Sequence, residues 1–316
     1  MVKNDTPPRR IVVAGATGTI GQAVVRRLVA DGHSVTALLR PGSAGHDTGP
    51  LAGAELAHAA LSDHDAIAKV MGDARPDCII SCIASRSGAP KDAEAVDYGA
   101  NVALLETAQA AGARQFILLS AICVQKPLLA FQHAKLAFEA RLAASGIDYT
   151  IVRPTAFFKS LSGQVKRVKA GKPFLIFGDG ELTRCKPISD DDLARFIAAC
   201  IDNPDTSRRI LPIGGPGPAI SLREQGELLF EIAGRPVRFK SVSPRLFDYA
   251  ERALGLGSGM SGWFAEKAEY ARIARYYATE SMLVLDPETG GYSADLTPEY
   301  GSDTLRDHYA RLLAEG

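Results

Sequence analysis

The stretch Ile11-Val-Val-Ala-Gly-Ala-Thr-Gly-Thr-Ile-Gly21 constrains the fold of this chain more than any other. Ile11 to Ala14 are small apolar residues of the kind that make a short buried strand. Gly15, Gly18 and Gly21 follow. Ile20, Val24 and Leu28 then recur every four residues, the period of an amphipathic helix that stops near Asp31-Gly32. Strand, glycine turn and helix in that order can hold the pyrophosphate of a dinucleotide. Backbone N–H groups at the helix N-terminus face the negative charge, and glycine lets them come close. Gly15, Thr17, Gly18, Thr19, Ile20 and Gly21 are the residues that would line this cradle. A merely structural turn is the competing reading of any glycine triplet.

Further strands and helices alternate behind this unit. Ser34-Val-Thr-Ala-Leu-Leu-Arg40 reads as a second strand that ends on a cation. A dinucleotide site for NAD places an acid near this position to bind the ribose 2′-hydroxyl, whereas a guanidinium suits a 2′-phosphate. Arg40 therefore points to NADPH. Ala54 to Leu61 reads as a modest third strand, and Asp63 after it fits two roles, a neighbour of the adenine or a helix N-cap. Cys78 to Ala84 is a clear fourth strand. Its end, with Ala84 and Ser85, should pass beneath the cofactor, because ligands of open parallel sheets bind beyond the strand ends. A helix is expected over 95–111, with Asn101 either orienting groups near the site or simply exposed. Gln115 to Ser120 and Ile147 to Arg153 complete the pattern, and Ser120 closes its strand on a hydroxyl.

The alternation predicts an α/β fold, a Rossmann-type doubly wound parallel sheet over residues 9–213. A smaller C-terminal substrate-binding subdomain is expected over 214–316, with contributions from 156–186. Pro212 to Pro218 reads as a loop hub between them. Asp190-Asp-Asp192 resembles a metal cluster, but acids favoured by a helix dipole are the simpler reading, and no metal site is expected. The glycine-rich run Leu254 to Trp263 reads either as a lid over a flat ligand or as a linker between helices. Phe157, Phe158, Trp263 and Phe264 are the candidates to stack on such a ligand.

Lys plus Arg equals Asp plus Glu at 36 each, so no charge excess calls for a nucleic-acid partner. Five cysteines form no CxxC cluster and read as small core residues in a reducing, cytoplasmic setting. No apolar run reaches the length of a membrane span, and the first ten residues carry no signal-peptide core, so no cleavable targeting segment is expected.

The glycine spacing, GxxGxxG, resembles that of the short-chain dehydrogenases. A carbonyl-reducing member of that superfamily carries a tyrosine four residues before a lysine, one helical turn away, as proton donor. Here Phe131 precedes Lys135. Phenylalanine has no proton to give, which removes alcohol–ketone chemistry and leaves Lys135 to position the cofactor. Later blocks narrow the resemblance: Leu118 to Leu129, Ile151 to Ser160, Phe177-Gly-Asp-Gly180, Cys185-Lys-Pro-Ile-Ser189, Leu211 to Pro216, Tyr276 to Met282 and Leu285 to Gly290. Together they resemble the divinyl chlorophyllide a 8-vinyl reductases from about Arg10 to the C-terminus. That resemblance implies an NADPH-dependent oxidoreductase of chlorophyll or bacteriochlorophyll synthesis, acting on the vinyl group of a magnesium tetrapyrrole. The metal then belongs to the substrate. A flat, poorly soluble substrate implies a pocket open to a membrane surface or a carrier, hence peripheral membrane association. Lys135, Cys123, Tyr98, His133 and water all stay open as proton donor. A non-catalytic NADPH sensor of the same superfamily is the alternative, and only turnover separates the two.

Overall fold

The computed structural model describes residues 7–42, 49–255 and 262–315. Alternation along β1 (Arg10–Ala14) sets the architecture. Ile11 and Val13 enter one apolar cluster, while Val12 and Ala14 enter another on the opposite side. A strand buried on both faces needs a layer of helices on each, which is the environment of a parallel sheet. Around β1 lie β2 (Ser34–Leu39), β3 (Glu55–His58), β4 (Cys78–Ser81), β5 (Gln115–Leu119) and β6 (Asp148–Pro154). After β7 (Phe174–Phe177) and β8 (Arg184–Cys185), which lie outside this sheet, β9 (Arg209–Ile213) closes it. The order is β3-β2-β1-β4-β5-β6-β9, and every pairing is parallel. Connections reverse direction between β1 and β4, the switch point at which such sheets bind ligands.

Pro212, expected in a loop, lies inside β9. β9 is an edge strand, so the missing proline N–H interrupts no ladder on its open side. The third strand is shorter than its apolar pattern, because β3 is the opposite edge and largely exposed.

The first layer of helices contains α1 (Thr19–Ala30), which packs beside a later helix; the second contains α2 (His64–Ala74). The expected helix over 95–111 is three pieces: α3 (Pro90–Asp92), a π-helix (Ala93–Ala100) and α4 (Asn101–Ala110). Asn101 is not exposed; of the two expected roles it takes the first, orienting groups near the site. Its amide oxygen accepts the Ser81 hydroxyl at 2.6 Å and its nitrogen donates to the Asp97 carbonyl at 3.0 Å, tying this run to the end of β4. α4 and α5 (Ala130–Ala144) cover the same face as α2, through Leu104, Leu105, Phe138 and Leu142. Beyond the short α6 (Phe158–Leu161) and α7 (Val165–Lys169), α8 (Asp190–Ala199) joins α1 on the other face.

The remaining elements pack beyond β6. β10 (Ile220–Ser221) pairs antiparallel with β8, and α9 (Leu222–Ile232) starts in a capping box between Ser221 and Glu224. β11 (Phe239–Val242) pairs parallel with β7. α10 (Arg245–Gly255), α11 (Gly262–Thr279), the hairpin of β12 (Val284–Leu285) and β13 (Tyr292–Ser293), and α12 (Leu305–Ala314) complete the chain. Phe158, Phe174, Phe230 and Tyr309 centre a separate apolar cluster here. Asp192, read from the sequence as a dipole-favoured acid, is fully buried. It accepts the Ser302 and Asp303 N–H groups and pairs with Arg195, pinning the segment before α12 to α8. Among the described residues no cluster of metal-binding side chains occurs, and no helix is long and apolar enough to cross a membrane.

Candidate active site

The glycine turn fills the switch point. Gly15 has φ +76°, and a Cβ there would stand 2.6 Å from the Cys82 carbonyl oxygen, so only glycine lets the end of β1 pass the end of β4. A Cβ at Gly21 would stand 2.2 Å from the Gly15 oxygen, so only glycine lets α1 start so close to the turn. Gly18 is the N-cap of α1 and supplies no side-chain cap. The first N–H groups of α1, at Thr19, Ile20 and Gly21, are therefore left to a ligand or solvent. This uncapped helix start, walled by glycine, fits a pyrophosphate. The Ile20 side chain is buried in the core, so that residue offers only its backbone. Thr17 uses its carbonyl to accept Gln22 Nε2 at 3.3 Å. Thr19 accepts a hydrogen bond from Lys159 Nζ at 2.5 Å, which brings a cation to the turn that the sequence reading did not pick out.

Ala14 pairs with Leu38, so Arg40 emerges next to the glycine turn, two residues beyond that pair. It is exposed and, among the described residues, has no ion-pair partner. A charge-assisted contact to a 2′-phosphate is worth about 1.5–3 kcal/mol. Arg40→Ala should then raise the NADPH dissociation constant roughly ten- to a hundredfold, with NADH nearly unaffected. Equal losses for both cofactors in a fluorescence titration would remove Arg40 from this role. Asp63 is the N-cap of α2, where Oδ1 accepts the Ala66 N–H at 3.0 Å; its other oxygen is not needed for that.

A cavity of about 620 Å³ opens beyond the ends of β4, β5 and β6, with β8 and α11 on its far side. Its lining is mainly apolar. Ala84, Ser85, Ser120, Phe131, Lys135 and Phe157 all reach it. Two buried ionic groups lie in or under this wall. Lys135 Nζ contacts Asp97 Oδ1 at 2.9 Å, and the Ser85 N–H donates weakly to the same oxygen at 3.4 Å. Asp97 Oδ2 is buried with no hydrogen-bond partner, an acceptor aimed at nothing the protein supplies. Beneath Ser120, the Glu139 carboxylate is clamped by Arg153 and accepts the Ser120 hydroxyl at 2.5 Å. The Ser120 proton is thus committed inward, and towards the cavity this hydroxyl offers lone pairs. Phe131 presents an inert ring one turn from Lys135. Burial pushes the Cys82 and Cys185 thiols up to about 12 and raises Cys123 as well, so all three line the cavity as neutral thiols.

Not every expected residue arrives here. Phe158 is buried in the cluster with Phe174 and Tyr309, its ring 5.3 Å from that of His308, and it does not line the cavity. Phe157 is the extended N-cap of α6 and Phe158 its first helical residue, so consecutive rings point opposite ways. Phe264 is half-buried on α11 and outside the cavity lining. The Trp263 side chain and most of the glycine-rich run before it lie outside the described residues. His133 is exposed on α5, and Tyr98 packs into the sheet core. The residues missed are Asp97, Glu139, Arg153, Tyr277 and Lys159. A usable signal existed for Glu139: it follows Lys135 by one turn on a helix face that is otherwise apolar.

A family model described as NAD(P)H-binding matches residues 15–204. The chain is 49% identical to the divinyl chlorophyllide a 8-vinyl-reductase, chloroplastic, of Cucumis sativus, over 97% of this chain and 76% of that one. It is 48% identical to the protein of the same name from Oryza sativa subsp. indica, over 97% and 79%. Among solved structures, the leucoanthocyanidin reductase–NADPH complex from Vitis vinifera superposes with a TM-score of 0.69 at 17% identity, over 97% of this chain and 100% of that one, which shows a common fold. With a matched NAD(P)H-binding region and near-half identity along almost its whole length, this chain belongs to the divinyl chlorophyllide a 8-vinyl reductase family.

Proposed function

We infer that this chain reduces the 8-vinyl group of divinyl chlorophyllide to an ethyl group with NADPH. The observation that carries this reading is a mainly apolar cavity at the strand ends, with Lys135 present and Phe131 in the proton donor's place. A carbonyl reductase needs an acid at that position to meet a developing alkoxide. Reducing a carbon–carbon double bond makes no alkoxide, so the ring is no defect. When bound, NADPH supplies the hydride. The chain's own residues do the rest. The glycine turn and Arg40 would bind the phosphates, and Lys135, oriented by Asp97, would hold the nicotinamide ribose. Ser120 would accept a ligand hydroxyl, and the apolar lining would exclude water while placing the vinyl group. Hydride arriving at the terminal vinyl carbon leaves charge that the conjugated macrocycle spreads, and the adjacent carbon takes a proton.

Incubating the purified chain with divinyl chlorophyllide a and NADPH should convert the substrate to its monovinyl form, followed by chromatography and the absorbance of both reactants. NADPH binding without ethyl product would instead favour a sensor.

We assign residues 9–213 to cofactor binding and 214–316, helped by 156–186, to the substrate side. Peripheral membrane association has its support in the surface around β11 and the start of α10. Arg235, Arg238, Lys240 and Arg245 are exposed there beside Val237, Leu246 and Tyr249. Phe247 of α10 packs on Phe177, a cavity residue, with ring centroids 5.5 Å apart. Vesicles containing phosphatidylglycerol should therefore co-sediment the protein at low salt and release it at high salt. Each basic residue near such a surface is worth about 1 kcal/mol, so Arg238→Gln with Lys240→Gln should weaken binding roughly thirtyfold. Binding to neutral vesicles that is just as strong would remove the basic surface from this role.

A further inference from the structure

The reduction needs a proton as well as a hydride, and the groups that line the cavity narrow its source. The Ser120 proton goes to Glu139, that of Ser87 to Asp92 at 2.7 Å, and that of Thr155 to the Lys186 carbonyl. Arg184 is paired with Glu181 and Glu224, and a guanidinium does not give up its proton in proteins. Lys135 is engaged by Asp97. Cys123 and Cys185 are 3% and 6% exposed, and Cys82 reaches the cavity only in part, packing also against one of the sheet's apolar clusters. Ser85, Ser160 and Thr183 are aliphatic hydroxyls, far weaker acids than a phenol.

Tyr277 differs from all of these. α11 is anchored by its neighbour Tyr276, which is buried and whose hydroxyl donates to the carbonyls of Cys123 at 2.9 Å and Lys126 at 3.2 Å. One residue on, the helix has turned by about 100°, and Tyr277 joins Ile273, four residues before it, on the cavity wall. The residue is 47% exposed, and its side chain lines the cavity wall. The surroundings are dense enough that desolvation raises the phenol well above its usual range even though the ring is open to the cavity, so it keeps its proton at neutral pH.

We propose that Tyr277 is the proton donor of the vinyl reduction, its O–H bond breaking as a C–H bond forms on the vinyl carbon next to the macrocycle. This rests on the reading of the cavity as the vinyl-reducing site. The hydride, with its electron pair, comes from NADPH and lands on the terminal carbon. The tyrosinate left behind recovers a proton from water entering the cavity, so each turnover consumes one NADPH and one solvent proton. The helix that carries Lys135 then keeps an inert ring at Phe131, and a helix from the C-terminal part of the chain brings the acid.

The test compares wild type, Tyr277→Phe and a protein with 3,5-difluorotyrosine at position 277. General acids contribute about 10²- to 10⁴-fold to rate. Tyr277→Phe should therefore lower kcat at least about a hundredfold, while the dissociation constants of NADPH and divinyl chlorophyllide, read by fluorescence and absorbance, stay within about twofold. Difluorotyrosine, a more acidic phenol of nearly the same size, should restore most of the rate and shift the alkaline limb of the pH–rate profile downwards. A Tyr277→Phe protein with kcat close to wild type would overturn the proposal. So would equal losses in the phenylalanine and difluorotyrosine proteins, which would mark a packing role. Absence of turnover by the wild type would overturn the reading of the site itself, and this proposal with it.

Discussion

Lys135→Ala should destabilise the protein by roughly 3–5 kcal/mol, the usual effect of removing one partner from a buried ion pair. Asp97 is 1% exposed and Lys135 8% exposed, so the carboxylate left behind loses its cation in a largely buried setting. One of its oxygens already lacks a hydrogen bond, which deepens the cost. A second change distinguishes charge from packing. Lys135→Met with Asp97→Asn removes both charges at similar volume and should recover most of the lost stability in urea unfolding. NADPH affinity should stay weak in the double variant, because the cation proposed to grip the ribose is still gone. If the single and double variants unfold at the same urea concentration, the pair's charge has no part in holding this wall.

Gly21→Ala should also be severe, against the ordinary rule for helices. Alanine within a helix normally gains about 0.5–1 kcal/mol over glycine. At Gly21 the added Cβ would stand 2.2 Å from the Gly15 carbonyl oxygen, and a backbone oxygen has no flexible end to swing away. Overpacking of this kind costs about 1–3 kcal/mol, and relief must come from moving α1 off the glycine turn. NADPH affinity should fall at least tenfold with it. Gly72, within α2 and with nothing inside 4 Å of its would-be Cβ, supplies the control: Gly72→Ala should be neutral or stabilising. A Gly21→Ala protein with the melting temperature and NADPH affinity of wild type would show that the turn yields more easily than its geometry implies.

The contrast between these two sites marks how much was legible beforehand. The glycine turn is local: strand, turn and helix lie within about twenty consecutive residues, and each glycine has a reason in backbone conformation or close approach. The two-faced burial of β1 and the parallel order of the sheet follow from equally local apolar runs. Phe131 and Lys135, a turn apart on one helix, were readable for the same reason.

The ionic wall was not. Asp97 lies in a helical run that looked regular, and its π-helical turn carries no mark in the residue types. Glu139 on a helix and Arg153 at a strand end carry no sign in the sequence that they meet, and only the stacking of α5 against β6 pairs them. Phe157 and Phe158 are identical neighbours, and only the start of α6 decides which ring meets the cavity. Tyr276 and Tyr277 are a second such pair, one bound to backbone carbonyls and the other turned to the cavity. The sequence by itself determined six of the sheet's seven strands, the glycine turn and the family, since those depend on the order and spacing of residues along the chain. Tertiary structure alone decided which charges are buried together and which aromatic side chain faces the cavity. Those partners are far apart in sequence, and a side chain's direction is set by whatever packs against it.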